Sequence, residues 1–377
     1  MKKNSSLTKF VAFFFLFFFT KTTFAQFSQV GAFMAGSAED AEKLFEAYIS
    51  PYANGMGAGL SAGWYNTAKS HKLGGFDVTI TLNTAIIPSS DKTFDPTTLG
   101  LGTSDNPDYF ITDVRFSDTK TPTAAGNKEA GSEVSYYTEI GGTEYEIASF
   151  NLPKGSGFNY TPTPMIQLGI GTVKETDVIV RYSPELSIGS DGKVGLWGVG
   201  VKHSIKQWIP ALKRLPVLEM SVMGGYTKLT STTDIHFMPS FYEDFSTNVE
   251  VIPYDASFYS GQQMLLDVSN ITANLLVSAN FPVICIYGGV GISSSTTDLK
   301  LAGYYPFPEI QGTQLVVDYN TAVEDPVDIS IKSKDGSVTK PRLNAGFRLK
   351  FAVVTLHFDY TYADYSIATA GLGVTLR

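Results

Sequence analysis

The four histidines are the first residues to test for chemistry, because imidazole is both a common metal ligand and a common general base. Their positions show no spacing suited to shared metal ligation: His71, His203, His236 and His357. The glycines at 55, 57 and 59 do not complete a dinucleotide fingerprint, and no predicted strand precedes them. We therefore predict no catalytic residues, no metal site and no cofactor, and we expect that the protein is not an enzyme.

A second set of residues is charged and lies on the polar sides of alternating segments. It consists of Arg342, Arg348, Lys350, His357, Asp359, Arg181 and Glu185. Inside a barrel, these side chains would line a lumen that selects solutes or holds an acidic headgroup. Alternatively they fill a narrow interior with ion pairs, since a charge facing lipid costs about 2–4 kcal/mol at the bilayer centre. The second interpretation is the favoured one.

The charged residues lie in segments with strict alternation of apolar and polar residues, which predicts β-strands. In residues 76–83, phenylalanine, valine, isoleucine and leucine alternate with aspartate, threonine and asparagine. Ten such strands are predicted, at roughly 74–87, 162–173, 176–187, 193–205, 216–231, 262–281, 283–302, 340–351, 353–364 and 366–377. Most of these strands have at least the roughly 9–11 residues that a tilted strand needs to cross a bilayer, whereas strands of soluble proteins average about 5–6 residues.

The predicted strands are joined by short and long connections in turn, as in outer-membrane barrels. Long loops are expected at about 88–161, 232–261 and 303–339, although the connection near 187–193 is short where a long one is due. An even number of strands would place both ends of the chain in the periplasm. A tyrosine- and glutamate-rich segment within 88–161 could add a hairpin, so the predicted all-β fold is an antiparallel transmembrane β-barrel of 10–14 strands.

The first 25 residues have the features of an export signal. Three lysines precede an unbroken apolar run from Val11 to Phe19, and Thr23-Phe24-Ala25 offers small residues for cleavage before Gln26. Cleavage would remove four lysines and leave 24 basic against 36 acidic residues, a net charge of −12. Such a charge argues against nucleic-acid binding. The single cysteine, Cys285, has no disulfide partner, so stability must come from the fold.

Residues 26–72 are expected to form a helix and a glycine-rich plug, and residues 73–377 the barrel. Ser37 and Asp40 resemble a capping box, and apolar residues at helical spacing predict a helix over about 38–50, ended by Pro51. Farther along, residues 206–214 carry a tryptophan and three cations between two strands. This segment is either a turn at the membrane interface or a solvated loop with a buried tryptophan. Asp105, Asn106 and Asp108 are candidates for a divalent cation, but a solvated loop is favoured.

The order of signal, helix, the residues G-M-G-A-G-L and an aromatic segment resembles FadL-type outer-membrane channels for long-chain fatty acids, and still more the exported barrel proteins of the Bacteroidota. The resemblance implies an N-terminal hatch inside the lumen. Tyr65, Asn66, Thr67 and Ala68 occupy the place of that family's Asn-Pro-Ala hatch motif, with threonine where the family has proline. It also implies entry of ligand from outside and lateral exit through a gap at a strand kink.

These observations predict an outer-membrane protein whose partners are membrane lipid and lipopolysaccharide. The leading hypothesis is a passive channel for small hydrophobic compounds, closed by the hatch. The alternatives are a barrel that acts through its external loops, as an adhesin, secretion accessory or scaffold, and a soluble secreted β-sandwich, which shows the same alternation.

Overall fold

A computed structural model describes residues 33–376, except for 35, 104–109, 189–191, 245–248, 312–313 and 332–338. Ten long strands form the wall. They are β1 Phe76–Ile86, β2 Tyr160–Gly171, β3 Thr176–Ile188, β4 Gly192–Ser204, β5 Leu218–Asp234, β6 Gln263–Asn280, β7 Ile284–Ala302, β8 Thr339–Phe351, β9 Val354–Tyr362 and β10 Ser366–Leu376. The predicted export signal lies outside the described residues.

Each wall strand pairs antiparallel with its neighbour in sequence, and β10 returns to pair with β1. The wall is therefore a closed ten-stranded barrel, which confirms the predicted fold class. One extra strand, Val327–Ile331, extends the sheet beside β7. The hairpin expected in the long acidic loop exists, but it lies outside the wall and pairs only with another loop strand, so ten is the barrel count.

Burial along the wall runs opposite to that of a soluble sheet. In β1, Asp77, Thr79, Thr81 and Asn83 are buried, whereas Phe76 and Val78 are about 40% exposed. On other strands, Val199 and Ile271 are exposed by 50% and 61%. A soluble sandwich must bury its apolar side, so this polarity excludes the sandwich alternative and fits a wall surrounded by hydrocarbon.

The main helix, α1, runs from Ala38 to Ser61. It starts where the capping pattern predicts, because the Ser37 hydroxyl accepts a hydrogen bond from the backbone N–H of Asp40 at 3.1 Å. It does not end at Pro51 as predicted. Pro51 has no N–H for the Ala47 carbonyl, but the helix is held by the loop cap on both sides of the proline: Tyr48 and Ala53 are buried in the shared core, and the Tyr48 carbonyl accepts from the Ala124 N–H at 2.9 Å. Tertiary contacts therefore carry the helix through the proline.

The long connections fold over one end of the barrel as a loop cap. Its strands are Thr93–Phe94, Asp113–Phe116, Thr121–Pro122, Glu133–Ile140, Thr143–Asn151, Val249–Val251, Tyr304–Tyr305, Glu309–Gln311, Gln314–Val317 and Val323–Glu324. Short 3-10 turns lie at Ser89–Asp91, Pro96–Thr98, Pro239–Asp244 and Ala256–Tyr259. The first half of α1 shares one apolar core with this cap, in which Leu44, Tyr136 and Ile147 are buried.

The start of the described chain lies at the loop-cap end, whereas the barrel itself begins and ends at the opposite side, where Phe76 pairs with Leu376. Phe33 and Met34 belong to the core of the cap, and the Tyr242 hydroxyl donates to the Met34 carbonyl at 2.6 Å. Burial raises the pKa of Tyr242 well above its usual value, so the hydroxyl keeps its proton and remains a donor. From there α1 descends into the lumen and ends beside Arg342 of β8, and residues 62–75 continue to the opposite end of the barrel, where the connections are short and the Gly74 N–H donates to the Gly171 carbonyl at 3.0 Å.

The short-turn end contains tight connections and one longer turn. Val173–Glu175 forms a 3-10 turn between β2 and β3, and the connection from β4 to β5 holds the 3-10 turn Lys206–Trp208 and a one-turn helix, α2, at Pro210–Lys213. Trp208 is 62% exposed and donates its indole N–H to His203 Nε2 at 2.9 Å. Exposure of the tryptophan favours the interfacial interpretation of this turn. No helix within the described part of the chain is long and apolar enough to cross a membrane.

Candidate functional site

The lumen is filled by a plug, here defined as α1 together with residues 62–75. Glycines on two sides of α1 allow it to approach the wall closely: Gly55 and Gly59, four residues apart, face β2, and Gly57 faces β7. A Cβ added at Gly55 would lie 2.5 Å from the Thr161 hydroxyl, and one at Gly57 would lie 2.6 Å from the Ser295 Cβ. Gly59 faces Thr163 in the same way. The glycines that a dinucleotide motif would have used for phosphate thus serve helix packing instead.

The wall in turn has glycines at the positions that face the large side chains of the plug. Trp64 is 1% exposed and lies against Gly200 of β4 and Gly225 of β5, where an added Cβ would come within 2.7 Å of the indole ring in each case. Gly289 of β7 similarly faces Tyr65. Small and large side chains therefore alternate between plug and wall, which fixes the plug in one position.

We expect Gly225→Val to weaken seating of the plug by about 1–3 kcal/mol, because overpacking a filled interior forces neighbours out of place. Its neighbour Gly224 provides the control: it faces outward, and an added Cβ there meets nothing nearer than 3.9 Å. Gly224→Val should leave the plug unaffected. Hydrogen exchange of residues 62–75 measures the difference. Equal exchange in both variants would contradict the role of Gly225.

Two arginines on different strands hold the C-terminal end of α1. Arg181 of β3 donates to the Leu60 carbonyl at 2.9 Å and to the Ala62 carbonyl at 2.6 Å, and its guanidinium lies 3.6 Å from the Trp64 ring centroid. Arg342 of β8 donates to the Ser61 carbonyl at 2.5 Å and to its hydroxyl at 2.7 Å. The last carbonyls of a helix lack partners and carry partial negative charge. We call these two residues the arginine latch.

The hatch residues predicted from the sequence lie in the segment after α1, and each is buried. The Tyr65 ring packs edge-on against Tyr287 at 6.1 Å, and Asn66 Oδ1 accepts from Arg348 at 3.0 Å. Thr67 donates to Asn280 Oδ1 at 2.8 Å, and the Ala68 N–H donates to Ser278 at 3.0 Å. All four therefore connect the plug to the wall.

The other lumen candidates differ in their placement. Asp359 is buried and accepts from Tyr287 at 2.8 Å and from Asn344 at 2.7 Å. His357 is buried beside Arg348 in the ladder. Lys350 is half-buried near the short-turn end. Glu185 is exposed, because a register shift between Ser183 and Leu186 takes it out of the alternation.

The plug also carries an ion-pair cluster that sequence analysis missed. His71 Nδ1 lies 3.1 Å and Lys202 Nζ lies 3.0 Å from the Asp177 carboxylate, and all three side chains are at least 95% buried. The backbone N–H of His71 donates to the same carboxylate at 2.9 Å. Asp177 and Lys202 occupy ordinary inward positions of β3 and β4, so the alternation could have nominated them. A cavity of about 10 Å³ beside them has room for about one water.

The segment around Ser61 matches a catalytic sequence motif but has a structural role. Residues 59–63 spell G-x-S-x-G, the pattern of a hydrolase nucleophile elbow, which places serine on a strand-to-helix turn. Here Ser61 is the last residue of a helix; its hydroxyl donates to the Ala58 carbonyl at 2.7 Å and accepts from Arg342. The divalent-cation candidates Asp105, Asn106 and Asp108 lie outside the described residues. Elsewhere, the described part contains no cluster of metal-ligating side chains.

Within the described part of the wall, two neighbouring strands stop pairing over half of their length. Strands β2 and β3 share a ladder only from Gln167–Arg181 to Gly171–Asp177. Among the described residues, 160–166 of β2 form no ladder with 182–188 of β3, although 160–166 remain paired with β1. We call this unpaired stretch the lateral seam; it lies toward the loop cap.

Prolines explain why the ladder stops. Pro162 and Pro164 belong to β2, and Pro184 lies at the register shift of β3. Proline has no N–H for a ladder bond and is tolerated in sheets mainly at edges and bulges. The sequence itself therefore creates two edges inside an otherwise closed wall.

An apolar patch lies inside the barrel behind the lateral seam. It consists of Met165, Val194, Leu196, Leu229 and Val268 from the wall, with Leu186 at its margin. Met56 and Leu60 of α1 pack against it, and Leu60 is fully buried. These wall positions face inward, on the side where β1 has Asp77, Thr79, Thr81 and Asn83. The seam thus separates the outside of the barrel from an apolar chamber that the plug fills.

Comparison with known proteins relates the chain to other barrels at low similarity. Ail, the attachment invasion locus protein of Yersinia pestis, solved with a heparin analogue, has 8% identity and a TM-score of 0.26, covering 81% of this chain and 98% of its own. The translocator domain of the autotransporter NalP from Neisseria meningitidis has 10% identity and a TM-score of 0.24, covering 81% and 89%. A mutant of the TodX monoaromatic hydrocarbon channel has 10% identity and a TM-score of 0.27, covering 81% and 67%.

Such similarity concerns the barrel fold and does not bear on what passes through it. No curated protein matches the sequence. A family does match, over residues 1–376. The chain is a member of DUF6588, a family of unknown function.

Proposed function

We propose that this protein is an outer-membrane channel for small hydrophobic compounds, which pass between the lumen and the surrounding membrane through the lateral seam. The observation that supports this most directly is the apolar patch directly behind the seam. A second apolar cluster in the lumen, with Ile179, Met223 and Leu276 around Trp64, lies where the neighbouring strands are paired. The patch behind the seam is different, because it adjoins the stretch of wall in which β2 and β3 are unpaired.

The plug acts as the gate in this proposal. Met56 and Leu60 of α1 occupy the apolar patch, so a compound could enter only when the helix moves away from β2. The glycine face of α1 suits such movement, because glycines leave a smooth surface against Thr161 and Thr163. Outward Tyr160 and Tyr182, exposed by 44% and 62%, flank the seam where a hydrophobic compound would meet it.

A disulfide between α1 and the wall tests the gate. The Cβ of a Gly55→Cys residue would lie 3.2 Å from that of Thr161→Cys, so a shift of a few tenths of an ångström reaches the usual disulfide separation of about 3.5–4.5 Å. The native thiol is removed by Cys285→Ser. We expect oxidised cells that carry this variant to take up the fluorescent hydrophobic probe 1-N-phenylnaphthylamine no faster than cells without the barrel.

Reduction of the disulfide should restore uptake. Thr161→Cys alone should behave as wild type under both conditions, and Gly55→Cys alone, which crowds the Thr161 hydroxyl, should show the same uptake before and after reduction. Uptake that is the same before and after reduction would contradict gating by α1. Wild-type uptake no faster than that of barrel-free cells would contradict the channel itself.

The folded loop cap favours a second function, that of a surface scaffold or adhesin which does not transport. The cap has its own sheet and shares a core with α1, in which Tyr136 and Phe150 stack at 6.1 Å. A scaffold needs a filled lumen and a rigid outer surface. Replacing exposed residues of the hairpin, as Glu139→Lys with Tyr145→Ser, keeps the shared core and separates the two functions, because a scaffold would lose adhesion to host or bacterial surfaces while uptake of the probe would be unchanged.

A further inference from the structure

The outer face of the barrel has an apolar groove on the side away from the lateral seam. It crosses four strands, β4 to β7, and has a volume of about 590 Å³. Outward aliphatic side chains form its walls: Val201, Val222, Leu275, Val290 and Ile292. This volume lies within the range of about 300–1,000 Å³ that is typical of small-molecule sites.

Small residues create the depression. Gly224 of β5 and Ala273 of β6 are ladder partners, and both face outward between larger neighbours. A Cβ at Gly224 would lie 3.9 Å from its nearest neighbour, so the space above it is open. The groove therefore follows from two side chains and requires no break in the ladder, which continues through both residues.

The groove leads directly to the interfacial turn at the short-turn end. His203 of β4 lines the groove, pairs with Val222 across the ladder, and accepts the indole N–H of Trp208 at 2.9 Å. His203 Nδ1 is also 2.8 Å from the Thr176 hydroxyl, so the ring is held in place from both sides. Because a strand rises about 3.3 Å per residue, the turn lies within roughly 10 Å of the groove.

The turn is basic on its exposed side and also apolar. Lys213 and Arg214 are exposed, as are Trp208 and Leu215, at 62% and 47%. Lys206 is different, because it pairs with Glu219 at 3.4 Å. Cations beside an exposed tryptophan at a membrane boundary are suited to an anionic headgroup.

We propose that the groove and the turn together bind one anionic phospholipid of the leaflet at the short-turn end. One acyl chain lies in the groove over Gly224 and Ala273, and the phosphate lies against Lys213 and Arg214. Charge complementarity selects this occupant. A neutral lipid would make the apolar contacts of the groove but no favourable charge interaction with Lys213 and Arg214. A second copy of the chain would bring the same positive charge to the turn.

Native mass spectrometry of the purified protein, released from micelles that contain equal amounts of phosphatidylglycerol and phosphatidylcholine, tests the proposal. We expect one phosphatidylglycerol to be retained in preference to phosphatidylcholine. Lys213→Gln with Arg214→Gln should abolish the preference, and Gly224→Leu, which fills the groove, should lower retention of both lipids.

Lys69→Gln with Lys72→Gln is the matched control, because these two lysines are exposed at the same end of the barrel and do not belong to the turn. It should retain phosphatidylglycerol as wild type does. Heat-modifiable migration checks that each variant is a folded barrel. Equal retention of both lipids by wild type, unchanged retention in the turn variant, or an equal loss in the control would each overturn the proposal.

Discussion

Replacing both residues of the arginine latch, as Arg181→Met and Arg342→Met, is expected to release α1 from the lumen and to raise uptake of small hydrophobic compounds. The two guanidinium groups satisfy the carbonyls of Leu60, Ser61 and Ala62 at the buried end of the helix. Each buried carbonyl left without a partner costs about 1–3 kcal/mol. About 1.4 kcal/mol is a factor of ten in an equilibrium constant, so the double variant should populate the open state more than tenfold above wild type.

Hydrogen exchange of residues 53–61 and uptake of 1-N-phenylnaphthylamine measure this release. Arg115→Met is the control, since Arg115 pairs with Asp113 and Glu144 on the exposed surface of the loop cap and should change neither quantity. Faster exchange without faster uptake would separate plug stability from transport. Protection equal to wild type in the latch variant would refute the latch.

Asp177→Asn is expected to lower the free energy of unfolding by about 3–5 kcal/mol, because removing one partner of a buried pair leaves an uncompensated charge. Lys202 would remain buried at the wall with no carboxylate beside it, and the His71 ring would lose the same acceptor. Urea unfolding in detergent micelles, followed by tryptophan fluorescence, measures the loss.

The exposed pair between Lys228 and Asp267 is the comparison. Asp267→Asn removes the same type of charge at a position where water can compensate, so its cost should be about 0–1 kcal/mol. Adding Lys202→Met to Asp177→Asn should recover most of the stability, because no charge then stays buried. A similar cost for both asparagine variants would show that burial does not govern the cluster.

The wall could be predicted from sequence because a strand in a membrane barrel repeats one simple rule. Alternation names the side of each residue, so Arg181, Arg342 and Arg348 could be assigned to the lumen before any contact was known. Glu185 could not, since one register shift at Pro184 changes the face of the residues after it. The prolines at 162 and 164 were a signal for an edge that the strand pattern alone concealed.

The plug was harder to predict because its positions depend on partners far away in sequence. The need for glycine at position 225 is seen only when Trp64 is packed against it, and the role of Ser61 only when Arg342 donates to it. Helical periodicity predicted the start of α1 correctly but ended the helix at Pro51. Local propensity carries no information about the distant loop whose Ala124 N–H donates to the Tyr48 carbonyl. Periodicity predicts which side of a strand or helix a residue occupies. Which plug residue contacts which wall residue can be known only from the three-dimensional structure.

The position of the first described residues at the loop-cap end limits the order in which the molecule can assemble. Glu42 of α1 accepts from the Asp328 N–H at 3.1 Å, and Ser61 accepts from Arg342, so segments nearly 300 positions apart must meet. The helix is made first, yet its binding surfaces are completed last. Closing such long spans of chain is slow. The helix can meet β2 and the first part of the loop cap early, but its contacts with Asp328 and Arg342 must wait for the last part of the chain, so the plug is fully bound only as the wall closes.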